Sequence, residues 1–267
     1  MSAGVTGTEQ LLLTVDDGVA VLTFNNPTKR NALSREIREH LPDVLRSVNA
    51  DDEVRVLVLT GAGDRAFVSG ADISEFGEQR TSPEARASYD RAGAALTAVW
   101  GEVNKPIIAM IRGYCIGGGL LVAMQADIRF AAEDSQFGIP AARLGLGYAY
   151  SAVQMLADVV GRSWAAEILF SARRLDAHEA LGIGLVNRVV ANDRLETEVL
   201  DLARTIVANA PLTVAACKAA LRELRREPEK RDVQRVHEMV EAAFRSEDYR
   251  EGQRAFQEKR APIFRGR

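Results

Sequence analysis

Apolar residues fall first in short runs divided by turns and later in wider, helically spaced stripes. Residues 11–15 and 19–24 are two partly β-branched runs around Asp16-Asp17-Gly18, and they predict a hairpin closed by a turn that ends in glycine. Ser34 is placed to cap a helix running to about Ala50, and residues 54–60, unbroken apolar from 56 to 59, read as a strand buried on both faces. A helix between two strands predicts a parallel crossover. Tyr89, Ala92, Leu96, Val99 and Val103 keep a helical period through 83–103, and a short strand is predicted at 107–111. Residues 118–125 read as a buried helix entered through glycines and 128–131 as the next strand, so the β-α alternation repeats.

After Pro140 helices dominate, at 162–170, 177–181, 194–209, 212–226 and 233–244. Leu212, Ala215, Ala216, Ala219 and Leu224 make one apolar stripe; Val233, Val236, Val240 and Phe244 make another, and both need a covering surface. The charge-rich run 222–232, broken by Pro228, reads as a solvated helix end and hinge.

With 267 residues, 47% of them apolar, the chain can bury a large core as one domain or as a domain with an appended helical part. Its 34 basic and 37 acidic side chains argue against a polyanion-binding surface, so nucleic acid is not expected as a partner. Cys115 and Cys217 stand far apart, outside any CxxC pair, which excludes a disulfide scaffold and fits a reducing, cytoplasmic setting. Residues 1–10 are neither basic nor apolar, and no run approaches the roughly eighteen apolar residues that span a bilayer, so a soluble protein is expected.

Two glycine-rich segments carry the chemistry. Gly61-Ala62-Gly63-Asp64-Arg65-Ala66 loosely fits a dinucleotide fingerprint, but Phe67-Val68-Ser69-Gly70 after it is unsuited to the helix start that pyrophosphate needs, and a plain loop explains it better. Ser69 lacks the glycine two positions before it that a nucleophile elbow requires. His40, His178 and His237 lie on predicted helices away from both segments, and no metal-ligand spacing occurs, so no metal is expected. Gly117-Gly118-Gly119 can be a flexible turn, or it can open an apolar helix with unpaired N–H groups. Taken with Gly70-Ala71-Asp72, it favours two loops that each follow a buried strand and present an amide to a shared pocket, the helix near Gly118 adding its positive end. Two converging amides form an oxyanion hole.

These residues resemble the crotonase superfamily, the enoyl-CoA hydratase/isomerase family, over nearly the whole length. The resemblance rests on the stretches at 26–33, 67–73, 113–119, 126–128, 136–140 and 181–187, among them Asn26-Pro27-Thr28-Lys29-Arg30-Asn31-Ala32-Leu33 and Phe67-Val68-Ser69-Gly70-Ala71-Asp72-Ile73. It implies an α/β fold, a crotonase (ClpP-like) spiral of β-β-α units over residues 1–200 that carries the coenzyme A site. A helical C-terminal region, 201–267, would form homo-trimers or hexamers. It also implies an acyl-CoA thioester as substrate, with no separate cofactor, and a lyase of fatty-acid metabolism.

By the same resemblance, the amides of Ala71 and Gly118 would hold the thioester oxygen as it becomes an enolate. Lys29 and Arg30 match the stretch that meets the nucleotide end of coenzyme A, Asp72 and Ile73 border its adenine pocket, and Lys259 matches a segment reaching a neighbouring subunit's ligand; a solvated lysine is the alternative for Lys29 and Lys259. Hydratases place paired carboxylates at positions matched here by Leu121 and Ala141, and some isomerases place one where Ala149 stands. None of these can move a proton. Leu144-Gly145-Leu146-Gly147-Tyr148 and residues 246–252 are similar to the methylmalonyl-CoA decarboxylase branch, where a tyrosine matched by Tyr148 faces the acyl group; a packing role for Tyr148 is the alternative. Three functions follow: an enolate-forming decarboxylase or related lyase, a conventional enoyl-CoA hydratase, and a non-catalytic acyl-CoA binder.

Overall fold

The alternating signal of the first half builds two sheets rather than one. The computed structural model describes residues 2–72 and 83–267. Strands β2 (Leu11–Asp16) and β3 (Val19–Phe24) form the expected hairpin, with Asp17 and Gly18 both in the left-handed region, as a tight two-residue turn demands. β1 (Ser2–Gly4) adds an antiparallel edge to β2. On the other side β3 runs parallel to β4 (Val56–Gly61), followed by β6 (Ile107–Ile111), β8 (Ile128–Ala132) and β11 (Arg188–Val190), all parallel neighbours. A second sheet takes β5 (Ala66–Val68), β7 (Tyr114–Ile116), β9 (Gln136–Gly138) and β10 (Leu175–Asp176) in the order β10-β9-β7-β5.

The chain therefore visits the large sheet, then the small one, then a helix. It does so through β4, β5 and α2 (Pro83–Glu102), through β6, β7 and α3 (Gly118–Gln125), and through β8, β9 and α4 (Tyr150–Ser171). That is the β-β-α repeat expected of the spiral.

The central strands of the large sheet, β4, β6 and β8, are buried on both faces, which is why they lack strict alternation. Leu57, Leu59, Ile107 and Ala109 face the main core with α1 (Arg35–Ala50), capped by Ser34, whose hydroxyl accepts from Ile37 N. Ile37, Leu41, Val44, Leu45 and Val48 recur at helical spacing on its buried face. Val56, Val58, Ile108 and Phe130 face the other way, against Leu195, Val199 and Ala203 of α6 (Leu195–Val207), which follows the short α5 (Ala177–Gly182). Residue 200, the boundary read from the sequence, thus falls inside a helix packed on the sheet.

Several elements differ from expectation. The helix predicted at 162–170 extends back to Tyr150, broken at Gly161 (φ +77°); Ala149 at its start supplies no capping side chain, so the sequence carries no start signal. α7 (Pro211–Leu224) and α8 (Val233–Arg245) match their stripes. α9 (Glu247–Glu258) is an addition to the expected helices, because the groups it buries are Asp248, Glu251 and Ala255 rather than an apolar stripe. Arg222 is not simply solvated: its guanidinium donates to the carbonyls of Gly101 and Val103 at the end of α2, where cations favour the helix dipole. Nearby, buried Lys218 donates to Lys105 O (2.6 Å) and Asp127 Oδ2 (2.8 Å); burial pushes its pKa down to about 8 and Asp127 opposes that shift.

The buried carboxylates of α9 hold the final residues. Asp248 accepts from the amides of Arg265 and Gly266, and Glu251 accepts from Arg260, Arg254 and Ile263 N. Hydrogen bonds from Arg260, then from Arg254 and the Ile263 amide, hold the Glu251 carboxyl well below the usual carboxylate range. A carboxylate whose folded pKa is depressed contributes stability that is whole above the unfolded value and is lost as pH falls below it. Part of the stability loss on acidification below about pH 4.5 is therefore expected to vanish in Glu251→Gln, measured as urea midpoints of both proteins at neutral and acid pH.

Candidate active site

The site begins with strand pairing. β5 runs parallel to β7, with Ala66 opposite Tyr114 and Val68 opposite Cys115, so the loops after the two strands leave from the same edge. The first loop, residues 69–72, is then taken up by the segment before α1. Leu33 forms an isolated parallel bridge with Ala71: Leu33 N donates to Gly70 O (2.8 Å) and Asp72 N donates to Leu33 O (3.2 Å). A parallel bridge of this kind uses the carbonyl before Ala71 and the amide after it, leaving the Ala71 amide to point away from Leu33.

On that side, Ala71 N lies close to the start of α3. A methyl group built on Gly118 would stand 3.5 Å from Ala71 N and one built on Gly70 would stand 3.8 Å from Gly118 N, so the two amide nitrogens lie close to one another across a narrow gap. Among the described residues neither amide donates to any acceptor. Both turns need glycine: Gly70 has φ +114° and Gly117 combines φ +55° with ψ −116°. Gly117 N also donates to Gly138 O (2.8 Å), tying the second loop to β9. No acidic side chain occupies the first turn of α3, so the positive end of the helix adds to the two N–H dipoles.

Apolar residues stand in the segments that follow Gly118 and Gly138. Leu121 follows one turn into α3, its amide donating to Gly117 O (3.2 Å), and packs half-buried on the main core. Ala141, 8% exposed, belongs to the same core cluster, and Pro140 Cδ would lie 3.9 Å from a methyl on Gly117. Leu146 and Tyr148 pack against that cluster, and the Tyr148 hydroxyl is out of solvent. Ala149 lies at the N-terminus of α4.

The other sequence-named residues are distributed unevenly. Lys29 Nζ sits 2.7 Å from Asp72 Oδ2, so a lysine expected to meet phosphate is paired with the nearly buried carboxylate of the residue after Ala71. Arg30 lies 5.5 Å above the Tyr114 ring, which Arg174 also approaches at 5.2 Å. Lys259 is exposed in the left-handed cap of α9, and among the described residues its side chain makes no bond to the loops around Ala71 and Gly118. Ile73 lies outside the described residues. Asn31 enters the sequence reading only as part of a motif, yet it is wholly buried with its carboxamide bonded to three backbone groups. A polar residue ahead of apolar Ala32-Leu33 was the available signal.

Two neighbouring amides without acceptors at a helix terminus, where both are aimed at one carbonyl oxygen, can hold it and favour it further as negative charge accumulates there. The family model described as enoyl-CoA hydratase/isomerase matches residues 14–267. The chain is 35% identical over 256 residues to a crotonyl-CoA hydratase of Syntrophomonas wolfei, covering 96% of this chain and 98% of that protein. It is 33% identical over 264 residues to a carnitinyl-CoA dehydratase of Salmonella typhi, covering 97% and 99%. A crystal structure of an enoyl-CoA hydratase/carnithine racemase from Magnetospirillum magneticum superposes with a TM-score of 0.91 at 33% identity, covering 97% of each chain.

Proposed function

Because this chain belongs to the enoyl-CoA hydratase/isomerase family of acyl-CoA enzymes, we propose that it stabilises a thioester enolate between the Ala71 and Gly118 amides and does so without the hydratase carboxylates. The observation that carries this reading is the pair of neighbouring amides left without acceptors among the described residues, with apolar Leu121 and Ala141 in the segments close by in the chain. Decarboxylation suits such a setting. The bond from the α-carbon to the substrate's carboxylate breaks, its electron pair passes through the α-carbon to the thioester oxygen, and carbon dioxide leaves. An apolar surround at Leu121 and Ala141 neither repels the departing carboxylate with a like charge nor solvates it. The enolate then takes a proton at the α-carbon, and Tyr148 is the candidate donor, its ring packed on the core and its hydroxyl out of solvent.

The experiment is direct. Purified protein is incubated with methylmalonyl-CoA and, separately, with crotonyl-CoA, following carbon dioxide release and hydration. Carbon dioxide release with little hydration is expected; rapid hydration alone would displace this reading in favour of a conventional hydratase, which the 35% identity to a crotonyl-CoA hydratase supports. Tight acyl-CoA binding with neither turnover would leave a binding protein. Loss of the Tyr148 hydroxyl in Tyr148→Phe is expected to lower decarboxylation about a hundredfold, the low end for a positioned proton donor, with little change in KM. An unchanged rate would return Tyr148 to a packing role.

Assembly into a trimer or a dimer of trimers belongs to the same proposal. It is supported by Phe244, Tyr249 and Phe256, exposed along an open groove of about 660 Å³ between α7, α8 and α9. In such an assembly Lys259 would serve a neighbouring subunit's ligand. No single helix among the described residues is long and apolar enough to cross a membrane.

A further inference from the structure

Asn31 is 0% exposed, and its backbone lies in the left-handed region at φ +56°. Its Oδ1 accepts from Asn26 N (3.0 Å), and its Nδ2 donates to Ala62 O (3.0 Å) and Ala66 O (2.7 Å). One side chain thus joins three separate pieces of chain: the turn at 26–31, the loop after β4 and the first residue of β5. The packing around it is close, since a methyl group on Gly61 would lie 2.6 Å from Asn31 Nδ2. A buried carboxamide is costly unless its polar atoms are paired, and here both ends are used.

These ties sit between the two partners that aim the catalytic amide. Two residues after Asn31, Leu33 makes the bridge to Ala71; Ala66, held by Nδ2, starts the strand that delivers residues 69–72. Ser69 N donates to Arg30 O (3.1 Å), so the loop is stitched to the same turn on both sides of Asn31. We propose that Asn31 is a positioning residue: it fixes residues 30–33 against β5 so that the bridge at Leu33 turns the Ala71 N–H toward the gap it shares with Gly118. Asn31 touches no reacting atom and acts through the backbone. Its role rests on the oxyanion-hole reading above.

The test reads the hole itself rather than turnover. Butyryl-CoA labelled with carbon-13 at the thioester carbonyl is bound to the wild-type protein, Asn31→Ala and a destabilised control, Leu195→Ala, whose side chain is buried on the other face of the large sheet. Infrared difference spectra give the carbonyl band and calorimetry gives the affinity. In the wild type the band is expected to move to lower frequency, because two donors weaken the carbonyl bond. In Asn31→Ala most of that displacement is expected to disappear while the ligand still binds, and Leu195→Ala is expected to keep it. If Asn31→Ala does not fold, Asn31→Asp, which retains the acceptor for Asn26 N and loses both donors, is expected to show the same loss. An undisplaced wild-type band would overturn the oxyanion-hole reading, and this inference with it. A displaced wild-type band that persists in the Asn31 variants, or that vanishes equally in Leu195→Ala, would overturn the positioning role alone.

Discussion

Replacing Gly118 with proline is expected to lower turnover of the acyl-CoA substrate by about a hundredfold to a thousandfold, roughly 3 to 4 kcal/mol of transition-state stabilisation for one lost donor. Proline removes the Gly118 N–H and puts a ring carbon where its proton pointed. The fold should tolerate the change: Gly118 is the first residue of α3, a position where proline is favoured, and its φ is not positive. Gly117 before it has an extended, mirror-image backbone open to glycine, so the restriction proline places on its predecessor is met. The check is kcat and KM beside thermal unfolding. A fall in kcat with unchanged Tm supports the hole; a variant as active as the wild type excludes Gly118 as a donor.

Introducing carboxylates at the apolar Leu121 and Ala141 is expected to have an effect of similar size and opposite sign on hydration. In Leu121→Glu combined with Ala141→Glu, hydration of crotonyl-CoA should rise by at least about a hundredfold over the parent, since each positioned acid or base contributes about 10²–10⁴. Decarboxylation should fall in the same variant, because negative charge beside the substrate's carboxylate opposes its entry. Burial against the core would raise the new carboxyl pKa values, which suits a proton donor near neutral pH. Ala141 is nearly buried on a short helical turn, so a stability measurement accompanies the kinetics. Rising hydration with falling decarboxylation would identify these two positions as the switch between the activities; no change in either would remove them from the reacting centre.

Much of this was legible in the sequence because it depends on local signals. The hairpin around Asp17-Gly18, the Ser34 cap and the helix that opens at Gly118 each follow from the few residues that make them. The strands of the small sheet were not legible: β5, β7 and β9 are three residues each, too short for a period to show, and exist because they pair with one another. α9 escaped because it is held by Asp248 and Glu251 through hydrogen bonds, a signal that hydropathy does not carry. At the site, the glycines disclosed where backbone approaches closely, but the direction of the Ala71 amide is set by Leu33, almost forty positions earlier, through a bridge that no local pattern announces. The Lys29–Asp72 pair was hidden for the same reason.

The central claim is that a thioester oxygen lies between two main-chain donors, and a crystal structure of the protein with bound butyryl-CoA tests it most directly. The expected result places that oxygen within about 2.7–3.1 Å of both Ala71 N and Gly118 N, with Leu121 and Ala141 lining the acyl group. A thioester oxygen bound to neither amide, or an Asp or Glu side chain reaching the α-carbon, would contradict it.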